Sequence, residues 1–350
     1  VLIEYDKSLE NKNRKILYTK NRPSVGIYNS FWNTKGGGEK HALSIAKLLS
    51  EKYDVYLLSE NDFDANELKK YFSINFKFRK YIRSEIDSKT TTYFDLFVNS
   101  TYHSGLISLC PKSLYIVSFP HKFINKKFLR TYFFIHNSNF TKRWAERYWG
   151  PHKNTILYPI TEIKSFSKQP VFDKHKLENN KRNIISIGRF SKNGHDKKQD
   201  FILRAFNKAK ELTNSDFNLF LIGSLDYSRK DDLDHFNKLE TLKQMDTYIF
   251  PNLEFQELQK LLSISQIYIH ATGVDKNKEK EPHLLEHFGI SVIEAMLYEN
   301  YPIVFEEGGP GDIVKITKNG ETFNDLNSLI NILVRVMNDF DKERYTIKNN

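Results

Sequence analysis

The sequence predicts an α/β protein of two doubly wound domains that face each other across a cleft. Short apolar runs of strand length alternate with segments whose apolar residues recur every three or four positions, and the alternation restarts after a polar stretch near residues 160–182. The 350 residues also exceed one ordinary core at ~150 residues per domain. Apolar strands separated by helices argue for parallel sheets covered on both faces, and such sheets bind ligands beyond the carboxyl ends of their strands.

In the first half, SVGIYN (24–29) reads as a strand and leads to the glycine cluster 36–38; Ala42, Ile45, Ala46 and Leu49 then mark a helix. DVYLLS (54–59), YFDLFVN (93–99), SLYIVSF (113–119), YFFIHN (132–137) and NTILYP (154–159) follow as buried strands. Phe140, Trp144 and Tyr148 share one helical face between the last two. In the second half, NIISIG (183–188), FNLFLIG (217–223), DTYIF (246–250), QIYIHA (266–271) and YPIVF (301–305) read as strands, with helices near 198–212, 229–244, 254–264 and 290–299. The expected organisation is a tail or linker at 1–22, an N-terminal domain at 23–165, a hinge at 166–182, a C-terminal domain at 183–335 and a tail at 336–350.

Composition narrows the class. Hydrophobic residues make up 39% and charged ones 27%, with 27 Phe and 19 Tyr, which excludes a disordered chain. No apolar stretch approaches the ~18–20 residues of a membrane-spanning helix, and the opening VLIEYDKSLENKN is too polar for a signal peptide. A chain that does not open on Met reads as a fragment or a trimmed protein. The single cysteine, Cys110, excludes a disulfide framework and fits a reducing cytoplasm. The net charge of +10 is unevenly placed: residues 1–170 hold 28 Lys+Arg against 15 Asp+Glu, and residues 171–350 hold 25 against 28. A basic half points to nucleic acid, an anionic membrane surface or an acidic substrate, or else to a composition rich in Lys and Asn.

Three clusters carry chemistry. Gly36, Gly37 and Gly38 follow a strand and open a helix, where free N–H groups and the dipole can cradle a phosphate; a plain tight turn has the same signature. In GRFSKNGHDKKQ (188–199), Arg189 and Lys197 or Lys198 bracket a loop between a strand end and a helix start, which suits a diphosphate or equally a solvated basic loop. The sharpest is EHFGISVIE (286–294), where Gly289 and Ile290 offer amides at a helix start and Glu294 sits one turn in. Two carboxylates beside an anion site make sense if Glu286 and Glu294 accept hydrogen bonds from hydroxyls of a ribose and a sugar.

Together, the glycine cluster with Glu39, the G-R-F…H-x-K-K-Q loop, the Glu-x7-Glu pair in EHFGISVIEAM and the late GGP turn (308–310) resemble the retaining glycosyltransferases of family 4, with the GT-B fold of two Rossmann-like domains. The resemblance spans roughly residues 24–335 and leans towards lipid-linked-oligosaccharide α-1,2-mannosyltransferases and bacterial surface-polysaccharide transferases. It implies a nucleotide diphosphate sugar as donor and a glycan or lipid-linked acceptor in cell-surface polysaccharide or glycolipid synthesis, with the anomeric configuration kept. Glu286 would take the hexose hydroxyls and Glu294 the ribose, with His270 and Phe288 at the donor. Arg189, Lys197 and the amides of Gly37, Gly38, Gly289 and Ile290 would take the diphosphate. No cofactor or metal is implied, and Asp62–Asp64, Asp232–Asp234 and Asp339–Asp341 read as surface residues.

One departure concerns a His-aromatic-Pro pattern that related enzymes often carry at a strand end of the N-terminal domain. Here the segment is Ser118-Phe119-Pro120-His121, so either His121 takes the catalytic part or it is a loop histidine with none. His270 is likewise a donor-site neighbour or a buried strand histidine. The basic-aromatic segments YFSINFKFRKYIR (71–83) and HKFINKKFLR (121–130) suit an anionic leaflet, which points to a cytoplasmic protein peripheral on the inner face of the membrane; no nucleic-acid fold signature is present. The alternatives are a catalytically silent sugar-nucleotide-binding subunit, or another GT-B enzyme such as a sugar-nucleotide epimerase.

Overall fold

β-branched and aromatic runs, bounded by glycines and polar turns, build two parallel sheets in a computed structural model that describes residues 22–161, 182–192, 195–213 and 215–340. The chain divides into compact units between Ile160 and Thr161. The tail expected at 1–22 and the hinge expected at 166–182 lie, but for Arg22 and Arg182, outside the described residues.

The first unit contains β1 (Ser24–Tyr28), α1 (Gly37–Leu49), β2 (Asp54–Ser59), α2 (Ala65–Phe72), β3 (Arg79–Ile82), β4 (Leu96–Asn99), β5 (Ser113–Val117), α3 (Lys126–Thr131), β6 (Phe133–His136), α4 (Asn139–Trp149) and β7 (Asn154–Ile156). The sheet order is β3-β2-β1-β4-β5-β6-β7, with every pairing parallel. Alternation splits the strands between two cores. Val25, Ile27, Leu57 and Val98 pack with Ala42, Ile45 and Ala46 of α1 on one face. Tyr28, Tyr56, Phe97 and Phe134 pack with Ala145 and Trp149 of α4 on the other. Gly26 is required in β1 because a Cβ there would come within 2.6 Å of the Phe94 ring.

The second unit runs β8 (Arg182–Ile187), α5 (Gln199–Thr213), β9 (Phe217–Gly223), α6 (Lys230–Leu242), β10 (Thr247–Pro251), α7 (Phe255–Ser263), β11 (Ile267–His270), α8 (Ile290–Leu297), β12 (Tyr301–Phe305), α9 (Gly309–Thr317), β13 (Glu321–Phe323) and α10 (Leu326–Asp339). Its parallel sheet has the order β10-β9-β8-β11-β12-β13. In each sheet the order of strand addition reverses next to the first strand, the arrangement that opens a crevice at the carboxyl ends. Among the described residues no helix is long and apolar enough to cross a membrane.

Several expectations are corrected. The strand expected from Tyr93 begins at Leu96, because Thr90–Tyr93 form a 3-10 turn anchored by Asp87. In segment 71–83, expected as a basic-aromatic surface, Phe72, Ile74, Phe76 and Phe78 pack on the core and Lys80 is held by Asp62 and the Phe63 carbonyl, while Tyr71, Lys77 and Arg79 are exposed. Asp232 is not a surface residue but is 3% exposed, with Arg229 Nε 3.7 Å from its carboxylate. Asp62 and Asp64 are exposed, Asp64 capping α2; Asp341 lies outside the described residues. The C-terminal tail expected from 336 starts later, since α10 continues to Asp339 and buries Val336 and Met337.

Candidate active site

The site of the second unit is assembled where backbones approach too closely for side chains. A Cβ on Gly223 at the end of β9 would lie 1.9 Å from the Gly188 carbonyl oxygen, so β8 can end against its neighbour only with glycine there. A Cβ on Gly188 would lie 2.4 Å from Lys197 Cγ, so its absence lets the Lys197 side chain pass over the strand end. Gln199, the first residue of α5, fixes the same turn: its buried Nε2 donates to the Gly188 carbonyl at 3.0 Å and the Arg189 carbonyl at 2.9 Å. Its Oε1 lies 3.3 Å from His235 Nε2.

From that turn Lys197 reaches Glu286, with Nζ 2.5 Å from Oε2 and the two side chains 18% and 17% exposed. His270, at the end of β11 and 3% exposed, brings Nε2 to 3.4 Å from the same oxygen. Its Nδ1 lies 3.2 Å from the Tyr268 hydroxyl, which donates to Ser291 Oγ in the first turn of α8 at 2.8 Å. A chain of polar contacts therefore joins the basic loop, the carboxylate and the helix start.

Charge states follow. Burial by itself would raise Glu286, but Lys197 and the neighbouring histidines hold it well below the usual carboxylate range. Burial lowers His270, opposed by Glu286. His195 is lowered to about 4 by burial, also against the pull of Glu286. The centre thus holds a carboxylate beside the Lys197 side chain, flanked by imidazoles whose protonation burial opposes.

Helix starts complete it. Gly289 caps α8 at φ 99°, a left-handed conformation that disfavours other residues. Val292 N–H already donates to the Gly289 carbonyl at 3.0 Å, so it is the amides of Ile290 and Ser291 that helix geometry leaves without an intrahelical acceptor. The Gly308–Gly309 turn that opens α9 packs on the 286–288 backbone, with Gly309 N–H donating to the Glu286 carbonyl at 2.8 Å. A Cβ on Gly309 would come within 2.4 Å of the Phe288 backbone. Uncompensated amides and the positive ends of helix dipoles favour an anion here.

The structure thus brings Lys197, Glu286, His270, Gly289 and Ile290 together. Arg189 stands exposed at the end of β8, and Glu294 lies on α8 one turn beyond Ile290 and half-buried. Phe288 belongs to the core, packed with Val292 and Val304, so only its backbone borders the site. In the first unit, Gly37 and Gly38 open α1, whose capping box uses Glu39: its Oε2 accepts the Gly36 N–H at 2.8 Å and the Thr34 hydroxyl at 2.8 Å. A Cβ on Gly38 would lie 3.5 Å from Ser118 Oγ, which places the serine beside that helix start. The His121 ring stacks on His103 at 4.5 Å and meets Trp149 edge-on at 6.4 Å. The sequence assigned no part to Gln199, His195, Tyr268 or Ser291, although His195 and Gln199 stand in the H-x-K-K-Q loop and Ser291 in EHFGISVIE.

Comparison with known proteins places the fold. The chain superposes on Anabaena Alr3699/HepE, solved in complex with UDP and glucose, with a TM-score of 0.68 at 16% identity, covering 93% of this chain and 92% of that one. WaaG, a glycosyltransferase involved in lipopolysaccharide biosynthesis, gives 0.60 at 13% identity over 89% and 90%. The fold is therefore that of the GT-B glycosyltransferases. The model of glycosyl transferases group 1 matches residues 167–350, more than half of the chain, and the chain belongs to that family.

Among curated relatives, the mouse GDP-Man:Man(3)GlcNAc(2)-PP-Dol alpha-1,2-mannosyltransferase is 28% identical over 196 residues, 53% of this chain and 36% of that protein. The alpha-1,3/1,6-mannosyltransferase ALG2 of Saccharomyces cerevisiae is 24% identical over 208 residues, 53% of this chain and 40% of that protein. The matched part of the chain spans less than half the length of these relatives.

Proposed function

We propose that the protein is a retaining hexosyltransferase that moves a sugar from a nucleotide diphosphate sugar to a glycan or lipid-linked acceptor in the synthesis of cell-surface polysaccharide or glycolipid. The observation that carries this reading is the convergence of Lys197, Glu286 and His270 on the N-terminus of α8. The diphosphate docks on the amides of Ile290 and Ser291 and takes Lys197 and Arg189 as counter-ions. Lys197 then leaves Glu286, whose carboxylate is free to accept hydrogen bonds from the hexose hydroxyls, while Glu294 takes those of the ribose. As the sugar–phosphate bond breaks, negative charge develops on the leaving diphosphate, where fixed cations and dipoles stabilise it by about 3–4 kcal/mol per well-placed donor. The reading calls for no bound metal, because the chain's own cations meet that charge. The acceptor is taken by the first unit.

The same reading places the protein at the cytoplasmic face of a membrane. Its support is Phe123, 89% exposed and flanked by the exposed Lys122, Lys126, Lys127 and Arg130. Incubation of the full chain with a panel of nucleotide sugars tests the enzyme: slow release of free hexose and nucleoside diphosphate is expected. Tight binding with no turnover, even with acceptor, would instead favour a sugar-nucleotide-binding subunit, the reading that Ser118 in place of a histidine supports.

A further inference from the structure

A cavity of about 530 Å³ in the first unit lies apart from every residue discussed so far as a donor ligand. Its walls come from the carboxyl ends of four neighbouring strands: Tyr28 of β1, Glu60 after β2, Glu85 and Asp87 after β3, and Thr101 after β4. The chain reverses its strand order between β1 and β4, so the cavity sits at the switch point where doubly wound sheets take their ligands.

The walls are organised in advance. Ser30 N–H donates to Thr101 Oγ1 at 3.0 Å, and the Ser30 hydroxyl donates to Glu60 Oε2 at 2.9 Å. Tyr28 donates to the other oxygen of Glu60, and its hydroxyl, pushed up to about 12 by burial and by Glu60, stays protonated. Glu60 is thereby held by two hydroxyls while each carboxylate oxygen keeps lone-pair capacity for a ligand. Ile86, 5% exposed, supplies an apolar wall.

The charge of this cavity runs against its surroundings. Residues 1–170 are strongly basic, yet the lining holds three carboxylates and no Lys or Arg. Arg83 attracts Asp87 but is engaged by Tyr81 and Tyr93. A phosphate or carboxylate entering here would be repelled, whereas sugar hydroxyls and an ammonium group are donors that carboxylates accept well.

We infer that this cavity is an acceptor subsite selective for a hexose ring without negative charge, neutral or bearing an amino group, and that it rejects phosphorylated or uronic acid sugars. The inference rests on the acceptor side of the proposed function and narrows its substrate. Any anionic part of the acceptor then lies outside this cavity, on the basic surface of the same unit.

Saturation-transfer NMR on the full chain, with nucleoside diphosphate present, tests it using methyl hexosides, methyl 2-amino-2-deoxyhexosides and their 6-phosphates. The unphosphorylated glycosides should bind, and the phosphates at least ten-fold more weakly. Glu60→Gln should weaken glycoside binding by ten-fold or more and leave nucleoside diphosphate binding, measured calorimetrically, unchanged. Glu85→Lys, at an exposed position, should narrow the discrimination against phosphates. Phosphates that bind as well as the parent glycosides, no saturable glycoside binding at all, or indifference to both substitutions would each overturn the inference. Failure of the donor reading would show separately, as absent nucleoside diphosphate binding.

Discussion

Glu286 keeps its charge in a confined site because Lys197 stands 2.5 Å away, and under the proposed function a donor has to part the pair. Removing one partner of such a pair leaves the other without its counter-charge, at a cost of up to about 3 kcal/mol. Glu286→Gln should therefore lower the thermal midpoint and reduce sugar transfer by about 100-fold or more while the fold persists. It should also make the protein respond more strongly to a nucleoside diphosphate, because the ligand would then supply the only anion near Lys197. The check is the thermal shift produced by UDP or GDP. A shift no larger than in the wild type would mean that the diphosphate does not meet Lys197.

The histidines give a second test at the same scale. Burial lowers His41 and His195 to about 4 and His136 to about 3, and lowers His270 and His287 in direction. A group whose folded pKa lies below its unfolded value of about 6.5 stabilises the fold fully above that pH. That contribution is lost as pH falls from about 6.5 towards the folded value, because only the unfolded chain takes up the proton. For His41 alone the loss is on the order of 3 kcal/mol, at about 1.4 kcal/mol per pH unit. Glu286 acts lower, losing its contribution as pH falls below the ordinary carboxylate range. Unfolding midpoints measured from pH 7.5 to 4 should fall steadily below about 6.5, and His41→Leu should flatten part of the slope.

At the scale of elements, glycines separate what shapes the site from what holds the sheet. A Cβ on Gly188 meets the Lys197 side chain, whereas one on Gly223 meets the Gly188 backbone carbonyl at 1.9 Å. Gly188→Ala should leave a cooperative fold, destabilised by about 1–2 kcal/mol, with transfer reduced at least ten-fold as Lys197 is pushed off Glu286. Gly223→Ala should cost about 3 kcal/mol or more, since no side chain can move aside. Denaturant unfolding paired with a donor-hydrolysis assay distinguishes the two.

The same contrast explains what the sequence disclosed. Strands such as LFLI in β9 are buried on both faces and read as unbroken apolar runs, so most were legible. β3 was not: RKYI is a polar edge strand with only Tyr81 buried, and it resembles a basic patch. α9 was hidden because Gly309-Pro310-Gly311 reads as a turn, although proline suits a helix start and the glycines are fixed by backbone contacts. Glu286 and Lys197 were legible as a motif with a chemical need. His195 and Tyr268 acquire their parts through contacts across tens of residues, which no local pattern encodes, whereas Gln199 bonds back to the Gly188–Arg189 turn of its own loop.

For the whole molecule, the surplus of positive charge belongs to residues 1–170, and the structure sorts which of those cations are available. Lys80 is committed to Asp62 and Lys35 to Glu67, while Arg79 donates to the Tyr56 hydroxyl at 3.0 Å. Around α3 the situation differs: Lys122, Lys126, Lys127 and Arg130 are exposed, Phe128 anchors the segment at 2% exposure, and Phe123 projects at 89%. Four cations near an anionic leaflet contribute about 1 kcal/mol each at low salt, and one inserted aromatic adds a further ~1.5–3 kcal/mol. On the membrane reading proposed above, electrostatic attraction would supply most of the binding and Phe123 a salt-insensitive part. The full chain should co-float with liposomes containing phosphatidylserine at low ionic strength and be released as salt rises past the point where the Debye length falls below about 8 Å. Phe123→Ala should weaken flotation several-fold, and combined Lys126→Glu and Lys127→Glu should abolish it, without altering hydrolysis of a soluble donor. Flotation that ignores salt, or that survives the double charge reversal, would place the membrane contact on another part of the chain.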